Sequence, residues 1–75
     1  MNDKLLEIIN LILKKKSKKI LSKLEPNITL MKDIGFDSLD LAELTVRIEA
    51  EFEIDIFEDG IVMTVGQILE KLKNK

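Results

Sequence analysis

The stretch "DIGFDSLDLAELTVRIEAEF", residues 33–52, decides the fold of this 75-residue chain. Gly35 marks a tight bend. Asp37 has the chemistry of a helix N-cap, and Asp40, three positions later, supplies the acid of a capping box. A helix is therefore expected from Ser38 to about Phe52. On a helical wheel Leu41, Leu44, Thr45, Ile48 and Phe52 share one face, the natural core side. Leu39, Ala42, Val46 and Ala50 form a second, narrower stripe on the opposite side, flanked by Glu43 and Glu49. Such a helix has one face for its own core and one left over, and an apolar stripe rimmed with acids suits docking to a basic partner.

Towards the N-terminus, Leu5, Ile8, Ile9, Ile12 and Leu13 repeat with helical spacing, with Asn2 or Asp3 placed to cap the start. This predicts a first helix over about 3–16, closed by Lys14, Lys15 and Lys16, cations that suit the negative end of a helix dipole. From Ser17 to Asp37 the periodicity fails. Ile20, Leu21 and Leu24 have the spacing of one helical turn, but Pro26 pushes the residue before it out of helical geometry. A loop of this length needs apolar anchors, and Ile28, Leu30, Ile34 and Phe36 are the candidates. Towards the C-terminus, Glu58, Asp59 and Gly60 turn the chain, leaving room for at most one short helical turn around 56–63. Thr64 and Gln67 then have capping-box spacing, and Val65, Ile68, Leu69 and Leu72 make the apolar stripe of a closing helix. No alternating run is long enough for a sheet. The expected fold is all-α: residues 1–75 as one domain, a small antiparallel four-helix bundle with three main helices and a short or irregular third.

With no cysteine, no disulfide is available, and with three Phe, no Trp and no Tyr the core must be aliphatic. No apolar run approaches the roughly 20 residues of a membrane span, and the N-terminus has no signal-peptide pattern, so the cytoplasm is the simplest location. Charge is uneven. Residues 1–32 carry eight Lys against Asp3, Glu7 and Glu25, whereas residues 33–75 carry eleven acids against Arg47, Lys71, Lys73 and Lys75. The run "KKKSKK" has no interleaved aromatics and precedes an acidic half, so it reads as a solvated helix end and not as a nucleic-acid patch.

Ser38 sits between two aspartates at the head of the outward stripe. As a catalytic nucleophile it lacks a base, for the chain has no histidine and no lysine near it in sequence; the glycines of an acyl-transfer elbow are absent too. A calcium loop beginning at Asp55 and continuing through Asp59 and Gly60 fails at Phe57 and at Gly66, where a ligand and the bidentate Glu belong, so no metal site is expected. Two readings of Ser38 stand: part of an ordinary helix cap, or an attachment point for a phosphate, which the first turn of a helix favours.

The segment "DIGFDSLDLAEL" resembles the prosthetic-group motif of acyl carrier proteins, and the resemblance continues through "EAEFEIDI" and "TVGQIL". Together these cover about residues 28–72, with the first helix similar by pattern alone. The resemblance implies that a separate phosphopantetheinyl transferase attaches 4′-phosphopantetheine from coenzyme A to Ser38, and that the arm's thiol then carries acyl groups as thioesters. The chain would be a carrier, not an enzyme, and a monomer. It further implies that Asp37 and Asp40 help present the serine, that Leu39, Glu43, Val46 and Glu49 belong to the surface read by basic patches of acyl-transferring or condensing enzymes, and that Asp55 and Ile56 form its lower edge. Peptidyl and D-alanyl carriers fit the motif less well. The chain departs from typical fatty-acid carriers in its basic first-helix end and in a 55–64 segment about two residues short, with Phe57 where proline is common. Cargo from polyketide or modified-lipid synthesis therefore stands beside fatty acids. The competing reading is an unmodified helical adaptor that binds a basic protein through the acidic face.

Overall fold

The computed structural model describes residues 2–58, 60 and 62–73. Three helices account for the regular structure among these residues: α1 (Asn2–Lys15), α2 (Ser38–Phe52) and α3 (Val65–Lys73). The chain is already helical at Asn2, so Asp3 lies in the first turn as a dipole-matched acid instead of capping the helix. The α1 terminus is a Schellman motif: Ser17 N–H donates to the Lys14 carbonyl at 3.0 Å and Lys18 N–H to the Leu13 carbonyl at 2.9 Å. Ser17 takes the left-handed conformation (φ 59°) that this motif requires and that glycine usually fills.

Each helix buries part of the stripe expected of it; Leu41, Thr45 and Phe52 of α2 and Leu69 of α3 are only half-buried. Leu5, Ile9, Ile12 and Leu13 of α1, Leu44 and Ile48 of α2, and Val65, Ile68 and Leu72 of α3 meet in one aliphatic core around Phe36. The helices α1 and α2 run antiparallel: Lys15 and Lys16 at the end of α1 reach the start of α2, and Lys4 and Ile8 share a surface groove with Arg47 and Ala50. Leu30, Ile34 and Phe36 are buried anchors of the long loop, as expected, with Ile28 half-buried against them.

The loop is also held by backbone pairing that periodicity does not reveal. Leu30 N–H donates to the Met63 carbonyl, Val65 N–H to the Ile28 carbonyl and Gly66 N–H to the Pro26 carbonyl, each at 2.9 Å, giving an isolated antiparallel bridge between Thr29 and Thr64. Its other end is held by Asn10, whose amide accepts from Leu21 N–H at 2.8 Å and donates to the Leu21 carbonyl at 2.9 Å. The spacing of Ile20, Leu21 and Leu24 does not become a helical turn. Asn10 takes up the Leu21 backbone groups, and the chain bends at Ser22 and Lys23. Likewise, residues 56–58 form a turn and no fourth helix occurs among the described residues; Asp59 and Ile61 lie outside them. Gly60, at φ 132°, stands in a conformation that no helix uses.

Candidate functional site

The start of α2 is built as its sequence implies. The Asp37 carboxylate accepts from Asp40 N–H, and the Asp40 carboxylate accepts from Asp37 N–H, both at 3.0 Å, a complete capping box. The bend before it uses Gly35 at φ 84°, and the Gly35 carbonyl accepts from Lys18 Nζ at 3.0 Å. Ser38 is therefore the first helical residue, exposed, on a turn whose backbone is fixed from both sides. The first turn of a helix is where the dipole favours an attached anion.

The expected docking residues separate into two kinds. Leu39 (81% exposed) and Val46 (66% exposed) project into solvent, as do Ala42, Ala50 and Glu49. Asp40 and Glu43 are tied up inside the chain. Asp40 is only 8% exposed, and its carboxylate is ion-paired with Lys16, which also lies 3.7 Å from Asp37. Glu43 Oε2 accepts from Lys15 Nζ at 2.9 Å and from Arg47 Nε at 2.8 Å. Burial pushes the Asp40 carboxyl up, but the Lys16 ammonium and the Asp37 N–H together outweigh it and hold the group below its ordinary value. Hydrogen bonds from Lys15 and then Arg47 lower the Glu43 carboxyl, and the bond to Asp40 raises Lys16.

Two expectations need correction. Ile56 is fully buried, so its side chain belongs to the core and not to the edge of a docking surface. Neighbouring Asp55 is exposed, and its carboxylate accepts Phe57 N–H at 3.0 Å in a local turn. The lysine run is not wholly solvated: Lys14, Lys15, Lys18 and Lys19 are exposed and Lys16 is half-buried, and Lys15 and Lys16 both cross to α2. As for metals, no group of three potential ligands occurs among the described residues; Asp59, part of the calcium reading, lies outside them.

Sequence reasoning missed a groove of about 380 Å³ lined by Thr29, Met31, Lys32, Leu41, Phe57, Val62 and Met63. It opens one helical turn from Ser38, at Leu41, and its walls are almost entirely apolar apart from Lys32 and Thr29. The signal for it was faint: Met31 and Met63, both exposed, fit no helical stripe.

The family model described as "Phosphopantetheine attachment site" matches residues 3–72. The chain belongs to the acyl carrier protein family. Among its relatives, an "Acyl carrier protein" of Buchnera aphidicola is 36% identical over 74 residues, covering 96% of this chain and 89% of the relative. An "Acyl carrier protein" of Trieres chinensis is 41% identical over 54 residues, covering 69% of this chain and 68% of the relative. No solved structure matches. The chain is accordingly a non-enzymatic carrier that uses phosphopantetheine. Among the described residues no helix is long and apolar enough to cross a membrane.

The residues present fit such a group. Ser38 offers an exposed hydroxyl at a rigid helix start, and the apolar groove beginning at Leu41 offers a place for an aliphatic chain.

Proposed function

We propose that Ser38 is the attachment residue for 4′-phosphopantetheine and that this carrier presents acyl groups of fatty-acid or related lipid and polyketide synthesis to separate enzymes. When bound, the group supplies a terminal thiol, lacking in a chain without cysteine, on which an acyl group rides as a thioester. The observation that carries the proposal is the position of Ser38: an exposed residue in the first turn of a capped helix, three residues before Leu41, which lines an apolar groove.

The chain's own residues then have distinct tasks. Asp37 and Asp40 hold the first turn in one geometry, so that the hydroxyl meets a phosphopantetheinyl transferase without an ordering cost. Leu41, Phe57, Val62 and Met63 shelter aliphatic cargo from water at the groove. Leu39 and Val46 provide the apolar contact for acyl-transferring or condensing enzymes, with Glu49 beside them.

Incubation with coenzyme A and a broad-specificity phosphopantetheinyl transferase, followed by intact mass measurement, tests the assignment. One phosphopantetheine per chain is expected, and none on Ser38→Ala. An unchanged mass for the parent chain, or modification that survives the substitution, overturns it. Mass analysis of the protein from its native host then identifies the cargo.

A further inference from the structure

The end of α1 sets two lysines against the acids of α2. Lys15 reaches Glu43 across 28 residues of sequence, and Lys16 reaches Asp40 across 24 and approaches Asp37. Arg47 meets Glu43 from within α2. The acids nearest Ser38 are thus already paired before any partner arrives. Along the outward stripe Leu39, Val46 and Glu49 remain open to solvent.

We infer that Lys15 and Lys16 are intramolecular competitors for the docking acids, so that α2 is fitted to a protein partner with an apolar patch facing Leu39 and Val46 and a cation facing Glu49, not to a broadly basic patch. The inference rests on reading α2 as the docking helix. A partner cation aimed at Asp37, Asp40 or Glu43 must displace a lysine that is already tethered, and it gains only the difference between two similar ion pairs. A partner that buries the apolar stripe displaces nothing. Apolar area therefore supplies affinity here, and the paired acids supply little beyond approach from a distance. Lysine at these positions also excludes strongly basic partners by direct repulsion, which gives the carrier selectivity among enzymes.

The test compares the parent protein with Lys15→Gln/Lys16→Gln, with Lys15→Gln alone and with Lys19→Gln. The last removes one charge from an exposed lysine of the same segment without touching an acid of α2. Each is titrated with an octa-arginine peptide while backbone amide NMR shifts are followed at low salt. The double variant should bind roughly two- to five-fold more tightly for each released ion pair, with new shifts at Asp37, Asp40 and Glu43. The parent should respond mainly around Glu49. Lys15→Gln alone should remove one of the two intramolecular partners of Glu43, leaving Arg47, and it reports even if the double variant unfolds, because Lys15 is exposed. Equal binding by all four proteins, or an equal gain from Lys19→Gln, overturns the inference. The titration does not depend on modification of Ser38. Absence of phosphopantetheine loading defeats the proposed attachment role separately, by mass.

Discussion

Replacing Gly66 with alanine sets two effects against each other. Gly66 is the second residue of α3, and its φ is not positive, so alanine adopts the local backbone freely. Helix propensity alone then predicts a gain of up to about 1 kcal/mol. A Cβ at this position, however, would lie 2.8 Å from the Pro26 carbonyl oxygen, 3.1 Å from the Pro26 Cβ and 3.2 Å from its Cα. These are backbone and ring atoms, which cannot swing aside as a flexible side chain does. Relief requires the loop to retreat from α3, lengthening the 2.9 Å bond from Gly66 N–H to the Pro26 carbonyl and straining its neighbour from Val65 to Ile28.

Overpacking of this kind costs about 1–3 kcal/mol, and loss of one hydrogen bond adds about 0.5–1.5 kcal/mol. Set against the propensity gain, Gly66→Ala should destabilise the protein by about 1–3 kcal/mol, a fall in melting temperature of about 5–20 °C for a domain of this size. Urea unfolding followed by helical circular dichroism measures it, with a lower midpoint and an unchanged slope expected. A variant as stable as the parent, or more so, refutes the reasoning, since it would mean that the loop yields at no cost and that the Pro26–Gly66 approach fixes nothing.

Three further outcomes follow from the same contacts. Ser17→Gly removes a left-handed serine from the Schellman motif and should raise stability by up to about 1 kcal/mol, read as a higher urea midpoint. Asn10→Leu leaves the N–H and carbonyl of half-buried Leu21 without their side-chain partner and should cost about 1–3 kcal/mol, with faster hydrogen exchange across residues 18–24. Asp40 and Glu43 have carboxyls lowered from ordinary values of 3.8 and 4.5, so their stabilisation is full above those values and disappears as pH falls through the lower folded ones. Melting temperature should therefore decline below about pH 4.5, and less steeply in Lys15→Gln/Lys16→Gln; equal slopes would contradict the pairing.

The local signals were legible because each is written within a few residues. Asp37 and Asp40, or Thr64 and Gln67, state their caps by spacing alone, and both boxes form: Gln67 accepts from Thr64 N–H at 3.0 Å while Thr64 Oγ1 accepts from Gln67 N–H at 3.2 Å. The helical stripes likewise predict Leu44, Ile48, Val65, Ile68 and Leu72 as core. What the sequence hid depends on distant segments meeting. Asn10 reads as a break in an apolar run, yet its amide satisfies Leu21 eleven positions on. Ile56 lies in a polar-looking segment, and only the path of the chain after α2 turns it into the core. The groove needs Thr29, Leu41 and Met63 side by side, and no periodicity relates them.

Charge shows how that distance dependence bears on function. Counting residues separates a basic first half from an acidic second half, and a count alone suggests that each half seeks its own partner. Antiparallel packing brings the end of α1 to the start of α2, so at that junction the halves meet each other: Lys15 and Lys16 against Asp37, Asp40 and Glu43. The same ion pairs that steady the first turn beneath Ser38 reduce the field a partner feels there. Steadying the turn and advertising the acids are therefore competing uses of the same carboxylates. The side chains that escape this competition are the apolar ones, Leu39 and Val46, which need no counter-charge to remain available. With α2 as the proposed docking helix, recognition of this carrier would rest on the shape and apolar area of α2 more than on its formal charge.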